Sequence, residues 1–245
     1  MSSDQPFHFT AIGRVSSPYK QKFAIPRQPN LVKEARGEII FNPDYADPNA
    51  LRALDEFSHL WLIFVFHAVM DEGWSATVQP PRLGGKENIG VFASRSMFRP
   101  NPVGLSVVEN LGWQQKQDQL ILRIGGLDLL DGTPLLDIKP YLPYADSLPD
   151  ARAGYASEPP GKTYRIDFSE DAQQQLDALQ PEYPQLQAFI TAVLKQDPRP
   201  AWRQKDPDDK RYGMSLYDLN IKWRLQDSNI LVLSVEKEAP DAERS

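Results

Sequence analysis

The chain has no cysteine among its 245 residues. Disulfide staples, thiolate zinc centres and cysteine nucleophiles are thereby excluded, and the composition fits a reducing compartment, with the cytoplasm as the expected location. Long apolar runs are missing as well. None approaches the roughly 20 residues needed to cross a bilayer, and the opening "MSSDQPFHFT" has neither a basic start nor the apolar stretch that directs export. The expectation is a protein that is neither exported nor embedded in a membrane. Only three histidines occur, and no H-E-x-x-H spacing is found, so no histidine-built metal site is expected. Nucleotide signatures are equally scarce. No G-x-G-x-x-G follows a strand and opens a helix, no G-x-x-x-x-G-K-[ST] loop is present, and no G-x-S-x-G elbow offers a hydrolase serine. A net charge of −6 disfavours a protein that coats nucleic acid through broad phosphate neutralisation.

What is present suits a globular fold: 41% apolar and 10% aromatic residues are enough for a core. Up to residue 140 the sequence runs through "FTAIGRVS", "GEIIF", "HLWLIFVFH", "IGVFAS", "LSVVENL", "QLILRIGGL" and "LLDIKPY", short stretches rich in branched and aromatic residues with turn signals between them. One short helix is predicted at "DPNALRALDEF", where Asp47 can cap and Pro48 suits the first position. The fold class predicted is therefore mainly β: a small N-terminal β-barrel of about seven strands and one short helix over residues 1–150. Residues 151–245 read as a small α+β domain, reached through the linker "ARAGYASEPPG". Its elements are a strand at "TYRIDF", a helix capped by Ser169, a second helix at "PQLQAFITAVLKQ", and a hairpin of "LYDLNIKWRL" with "NILVLSVE". Because "HLWLIFVFH" is apolar on both faces, it is expected to be central or buried against a partner chain.

Four polar, turn-rich segments interrupt this β framework. One is "SRSMFRPNPVG", residues 94–104, where two prolines rule out a helix interior or a central strand and leave Arg95 and Arg99 on a stiffened loop. A guanidinium so held suits a carboxylate or phosphate. Another is "GGLDLLDGTPLLDIKPYLPY", which places Asp128, Asp131 and Asp137 around a Gly-Thr-Pro turn with Lys139 following. Such carboxylates serve as local turn caps, or hold a divalent metal or a ligand's amine or hydroxyl; spacing leaves these open. His59 and His67 bracket the apolar run, as hydrogen-bonded strand ends or as site residues. Charge is also uneven. Arg14, Lys20, Lys22, Arg27, Lys33 and Arg36 face only Glu34 in their stretch, whereas residues 141–245 carry 13 basic and 18 acidic groups. A basic strip on an acidic body suits one defined polyanion contact or, more blandly, a solvated face.

Taken together, "FAIPRQP", "FSHLWLIFVFH", "PPRLGG", "GVFASRSMFRPNPVG" and "LDLLDGTPLLDIKPYLPYADS" resemble one family, the TrmO (TsaA-like, YaeB) β-barrel tRNA methyltransferases. The resemblance covers nearly all of residues 7–145, and "QDPRPAW" and "LYDLNIKWRL" extend it into the second domain. It implies S-adenosyl-L-methionine as cofactor, held on a small barrel, and a homodimer. It further implies methylation of N6 of N6-threonylcarbamoyladenosine at position 37 of threonine tRNA. Carried over residue by residue, it places cofactor contacts at Pro26, Arg27, Gln28, His67, Ala68, Arg95, Leu105, Asp128, Leu129, Leu130 and Asp131. Ala68 stands where some relatives have a polar residue, so a backbone contact is expected there. Candidates for catalysis are Arg99, Asp128, Asp131 and Lys139, with His67 as a further proton acceptor; candidates for tRNA contact are Arg14, Tyr19, Lys20, Lys22 and Phe98. The competing readings are the same barrel acting on another RNA or a small-molecule acceptor, and a non-catalytic module that only binds the cofactor.

Overall fold

The computed structural model describes residues 6–84, 87–158, 164–199, 210–226 and 229–238. The strands are β1 (Gly13–Ser16), β2 (Arg36–Phe41), β3 (His59–Val65), β4 (Thr77–Val78), β5 (Ile89–Gly90), β6 (Val103–Lys116), β7 (Gln119–Gly125), β8 (Pro134–Pro140), β9 (Arg165–Phe168), β10 (Arg211–Leu216), β11 (Leu219–Gln226) and β12 (Asn229–Lys237). Helices are α1 (Pro143–Asp146), α2 (Glu170–Leu179) and α3 (Leu186–Lys195).

Six of these strands close a barrel in the order β1-β2-β7-β6-β3-β8, every neighbouring pair antiparallel. Closure removes the open edges that would otherwise invite pairing with other chains. Alternation decides which side chains fill it. Along β3, Leu60, Leu62 and Phe64 are buried while Trp61, Ile63 and Val65 are only partly covered. Val15, Ile39, Leu122, Ile124 and Leu135 join the same core, each buried leucine-sized side chain stabilising the fold by about 1.5–3 kcal/mol. Gly104 lies opposite Phe64 in the β3–β6 ladder, and a Cβ there would collide with the Phe64 ring. The glycine ending "FRPNPVG" therefore makes room for an aromatic ring laid across the strand.

Two local expectations give way. "IGVFAS" is not a barrel strand: Ile89–Gly90 pairs only with β4 in a two-stranded ribbon, and Val91–Ala93 turns into a 3-10 helix. "DPNALRALDEF" forms two 3-10 turns rather than one α-helix. Asp47 does cap the first, accepting from the Asn49 amide at 2.9 Å. Ala53 at φ +64° then breaks the ladder, and the Asn110 side chain takes the Leu54 and Phe57 carbonyls at 2.9 and 2.8 Å.

The second unit is a four-stranded sheet, β10-β11-β12-β9, with β9 parallel to β12 and the other pairs antiparallel. Ser169 caps α2 through the Ala172 amide at 3.1 Å, and Phe189, Ile190, Val193 and Leu194 of α3 are buried. β10 adds a strand beyond the expected terminal hairpin. Part of the "ARAGYASEPPG" linker, and "PAW" of "QDPRPAW", lie outside the described residues.

A seam joins the two units. Tyr19 forms an isolated bridge with Leu216, the Tyr217 amide donates to the Pro18 carbonyl at 2.7 Å, and the Tyr19 ring meets Phe189 at 5.8 Å.

Candidate active site

Beside β3 and β6 lies a cavity of about 710 Å³, within the range of small-molecule sites. Five chain segments wall it: residues 25–29, 64–69, 94–97 with Arg99, 103–107, and 128–130, together with Trp61, Lys22 and Thr133. The prolines of the 94–104 segment keep it out of the sheet, and its end is stapled by the Phe66 amide donating to the Pro102 carbonyl at 2.8 Å. Arg99 braces the inside of this loop, donating to the Val91 and Ser94 carbonyls at 3.1 and 2.9 Å, with its guanidinium 5.5 Å from the Phe92 ring centre. Arg95 points the other way and donates to the Gln28 side-chain oxygen, tying the arginine loop to the 25–29 segment. His67 opens the 3-10 turn His67–Glu72 directly after β3. Lys22 Nζ reaches the Ala68 carbonyl at 3.4 Å.

Electrostatically the cavity combines cations with one partly buried carboxylate. Burial lowers the pKa of Arg27, with Arg82 adding to that and Asp197 of the second unit opposing it. Burial pushes the Asp128 carboxyl up to about 6, against a hydrogen bond from Ser106, its own backbone and the Arg95 charge. Ser106 Oγ donates to Asp128 Oδ1 at 2.6 Å. Asp128 is therefore ionised at neutral pH and becomes protonated in mild acid.

Of the residues singled out in the sequence, Pro26, Arg27, Gln28, His67, Ala68, Arg95, Arg99, Leu105, Asp128, Leu129 and Leu130 all line this one cavity. Four others do not line it. Asp131 turns away from it, accepting from the Ser17 amide at 2.8 Å and pairing with Lys20 at 2.6 Å. Lys139 is on β8, paired with Asp137 at 2.8 Å. Tyr19 is no stacking platform: it is fully buried in the seam, and its hydroxyl has no partner among the described residues. Phe98 lies between two lining residues, Met97 and Arg99, without lining the cavity itself.

The basic strip is likewise divided. Arg14 is exposed on β1, Lys20 is neutralised by Asp131, Arg36 pairs with Glu109 at 3.0 Å, and Lys22 and Arg27 belong to the cavity. The three aspartates of the Gly-Thr-Pro region go to three different places, and no group of three or more His, Cys, Asp or Glu among the described residues is arranged to hold a metal ion. No helix among them is long and apolar enough to cross a membrane.

Sequence reasoning missed Trp61, Phe64, Phe66 and Ser106 as wall residues. The aromatics sit in "HLWLIFVFH", where apolar residues on both faces hide the periodicity that separates core from site. Ser106, in "LSVVENL", is one small polar residue breaking an apolar row.

Comparison with known proteins agrees with this architecture. The family model for the tRNA-methyltransferase O N-terminal domain matches residues 14–147, and that for the TrmO C-terminal domain matches residues 161–238. The tRNA (adenine(37)-N6)-methyltransferase of Escherichia coli strain K12 is 51% identical over 230 residues, 94% of this chain and 98% of that one. A Pseudomonas aeruginosa protein named "Putative S-adenosylmethionine-dependent methyltransferase RcsF" is 44% identical over 86% of this chain and 90% of its own. A crystal structure of TrmO from P. aeruginosa superposes with a TM-score of 0.79 at 38% identity, covering 96% of this chain and 100% of that one. With both of its units matched in order and the barrel shared with solved relatives, the chain belongs to the TrmO family of tRNA methyltransferases.

Proposed function

We propose that the protein transfers a methyl group from S-adenosyl-L-methionine to N6 of N6-threonylcarbamoyladenosine at position 37 of threonine tRNA, acting in the cytoplasm as a homodimer. The observation that carries this reading is the convergence of the proline-arginine loop and the first aspartate of "DLLD" on a single cavity. The lining fits the cofactor's chemistry. Arg27 and Arg95 offer guanidinium forks to its carboxylate, Asp128 accepts from a hydroxyl or amino group, and Trp61 and Phe66 offer π surfaces to a cation. When bound, the cofactor supplies an electrophilic methyl group.

The chain's own residues then have two tasks. Arg99 and the staple at Pro102 hold the loop that shapes the cavity, so that donor and acceptor meet in line; such alignment supplies much of the rate in a displacement. The acceptor is a urea nitrogen whose lone pair is delocalised, so its proton must leave. In this reading His67 takes it, because Asp128 holds the cofactor and neither Asp131 nor Lys139 lines the cavity. Arg14 and Lys22 remain as tRNA contacts, Lys22 with only a long pairing to Glu72 at 3.7 Å, whereas Lys20 is engaged with Asp131 at 2.6 Å. The exposed side chains of Val103 and Leu105 beside the cavity suit a second copy of the chain.

The test uses the purified protein, S-adenosylmethionine, and two threonine tRNAs, with and without the threonylcarbamoyl group, followed by mass spectrometry of the nucleosides. Methylation of the modified tRNA alone is expected. Methylation of both equally, or of neither while the cofactor still binds, overturns the substrate assignment. Sedimentation at micromolar concentration checks the dimer.

A further inference from the structure

β6 presents Gly104, Ser106 and Val108 on its buried side, so Ser106 stands between a glycine and a valine in an otherwise apolar row. It faces Leu62 across the β3–β6 ladder and is only 2% exposed. A hydroxyl in such a place is costly unless it is hydrogen-bonded. Its single proton goes to Asp128 Oδ1 at 2.6 Å, the short length typical of a bond to an ionised carboxylate. No other side chain among the described residues donates to that carboxylate. Arg95 from the arginine loop acts on it through charge, the Tyr19 hydroxyl on the segment after β1 is kept neutral by burial and by the Asp128 charge, and Arg27, His67 and Arg99 line the same cavity.

We propose that Ser106 is a positioning residue: its hydroxyl holds one oxygen of Asp128 so that the other is presented to the hydroxyl or amino group of the cofactor. This rests on the cofactor reading above. Ser106 acts through Asp128 and touches no reacting atom in that scheme. By hydrogen-bonding the ionised carboxylate, it also keeps Asp128 charged to a lower pH than burial alone would allow. Cofactor affinity should therefore be level above the Asp128 midpoint and fall as the pH drops through it.

The experiment measures binding of S-adenosylhomocysteine by calorimetry between pH 5 and 8.5, using wild type, Ser106→Ala, Ser106→Thr, Asp128→Asn and the Ser106→Ala/Asp128→Asn double variant. Ser106→Ala is expected to bind about ten-fold more weakly at pH 7.5, as for loss of one hydrogen bond to a charged group, with its pH midpoint moved upward. Ser106→Thr restores both, and Ser106→Ala adds less than about two-fold in the Asp128→Asn background, because the charge that its hydroxyl bonds is already gone. Wild-type affinity and midpoint in Ser106→Ala overturn the proposal. So does an equal loss in both backgrounds, which would make Ser106 a packing residue only. If wild type does not bind the probe at any pH, the cofactor reading fails separately. Titration of the Asp128 carboxyl by ¹³C NMR in the ligand-free protein then decides: a midpoint raised in Ser106→Ala supports the pairing, and an unchanged one sinks it.

Discussion

The seam between the two units and the wall of the cavity are made from the same two stretches of chain, yet they are chemically opposite. On the seam side, residues 17–20 and 131–132 satisfy one another. The Asp131 amide donates to the Tyr19 carbonyl at 3.0 Å, Gly132 donates to Val15 at 2.8 Å, and Lys20 closes on Asp131. Further along the first stretch, and three residues back along the second, Pro26–Gln28 and Asp128 line the cavity instead. Polar side chains with their bonding closed inside the protein are fixing the fold. Those held by one partner, such as Asp128 by Ser106 and Arg95 by Gln28, keep capacity for a ligand.

This contrast can be broken at either end. Phe189→Ala should have the largest effect, removing a ring that is 2% exposed and packs on Tyr19 and Tyr217; a loss of about 3–5 kcal/mol in urea denaturation is expected. Asp128→Asn should do the reverse on the cavity side, lowering cofactor affinity about ten- to hundred-fold at pH 7.5 while stabilising the fold. The sign follows from its folded pKa of about 6 against an ordinary value of 3.8. Between those values the native state binds more protons than the unfolded chain, so the contribution to stability present below pH 4 is lost as pH rises through 6. The variant should gain about 3 kcal/mol over wild type at pH 8 and little at pH 4, as read from denaturation at both pH values. Gly104→Ala comes next. The added methyl meets the Phe64 ring, and overpacking costs of about 1–3 kcal/mol are expected, with a perturbed near-ultraviolet signal from the Phe64–Phe66 pair. Lys20→Ala should be smallest, below about 1 kcal/mol and within about two-fold in methyl transfer, because the pair it breaks is half exposed. A large loss of transfer with tRNA affinity halved or worse would return Lys20 to the docking face.

Much of the framework was legible beforehand for a simple reason: strand alternation and turn residues act locally. Six of the seven expected runs are barrel strands, and Ser169 caps its helix as its position suggested. Where local reading failed, distant partners had intervened. Ala53 at φ +64° splits "DPNALRALDEF" into two turns, the second tied to Asn110 on β6 through the Leu54 and Phe57 carbonyls, and the seam buried a tyrosine that its polar neighbours made look exposed. Of the site, the arginine loop and the aspartate turn stood out because prolines, glycines and charges are conspicuous among apolar strands. The aromatic wall did not, since a run apolar on both faces carries no sign of which side meets a ligand.

By itself the sequence determined the barrel, the second unit, the family resemblance and the segments that supply polar groups, since each is written in short-range pattern and residue type. Only the tertiary structure separated Asp128 from Asp131, three positions apart in one turn, by giving the first to Ser106 and the cavity and the second to Ser17 and Lys20. Which way a carboxylate faces depends on partners more than a hundred residues away for Asp131 and on a neighbouring strand for Asp128, and strand pairing alone brings those partners within hydrogen-bond reach.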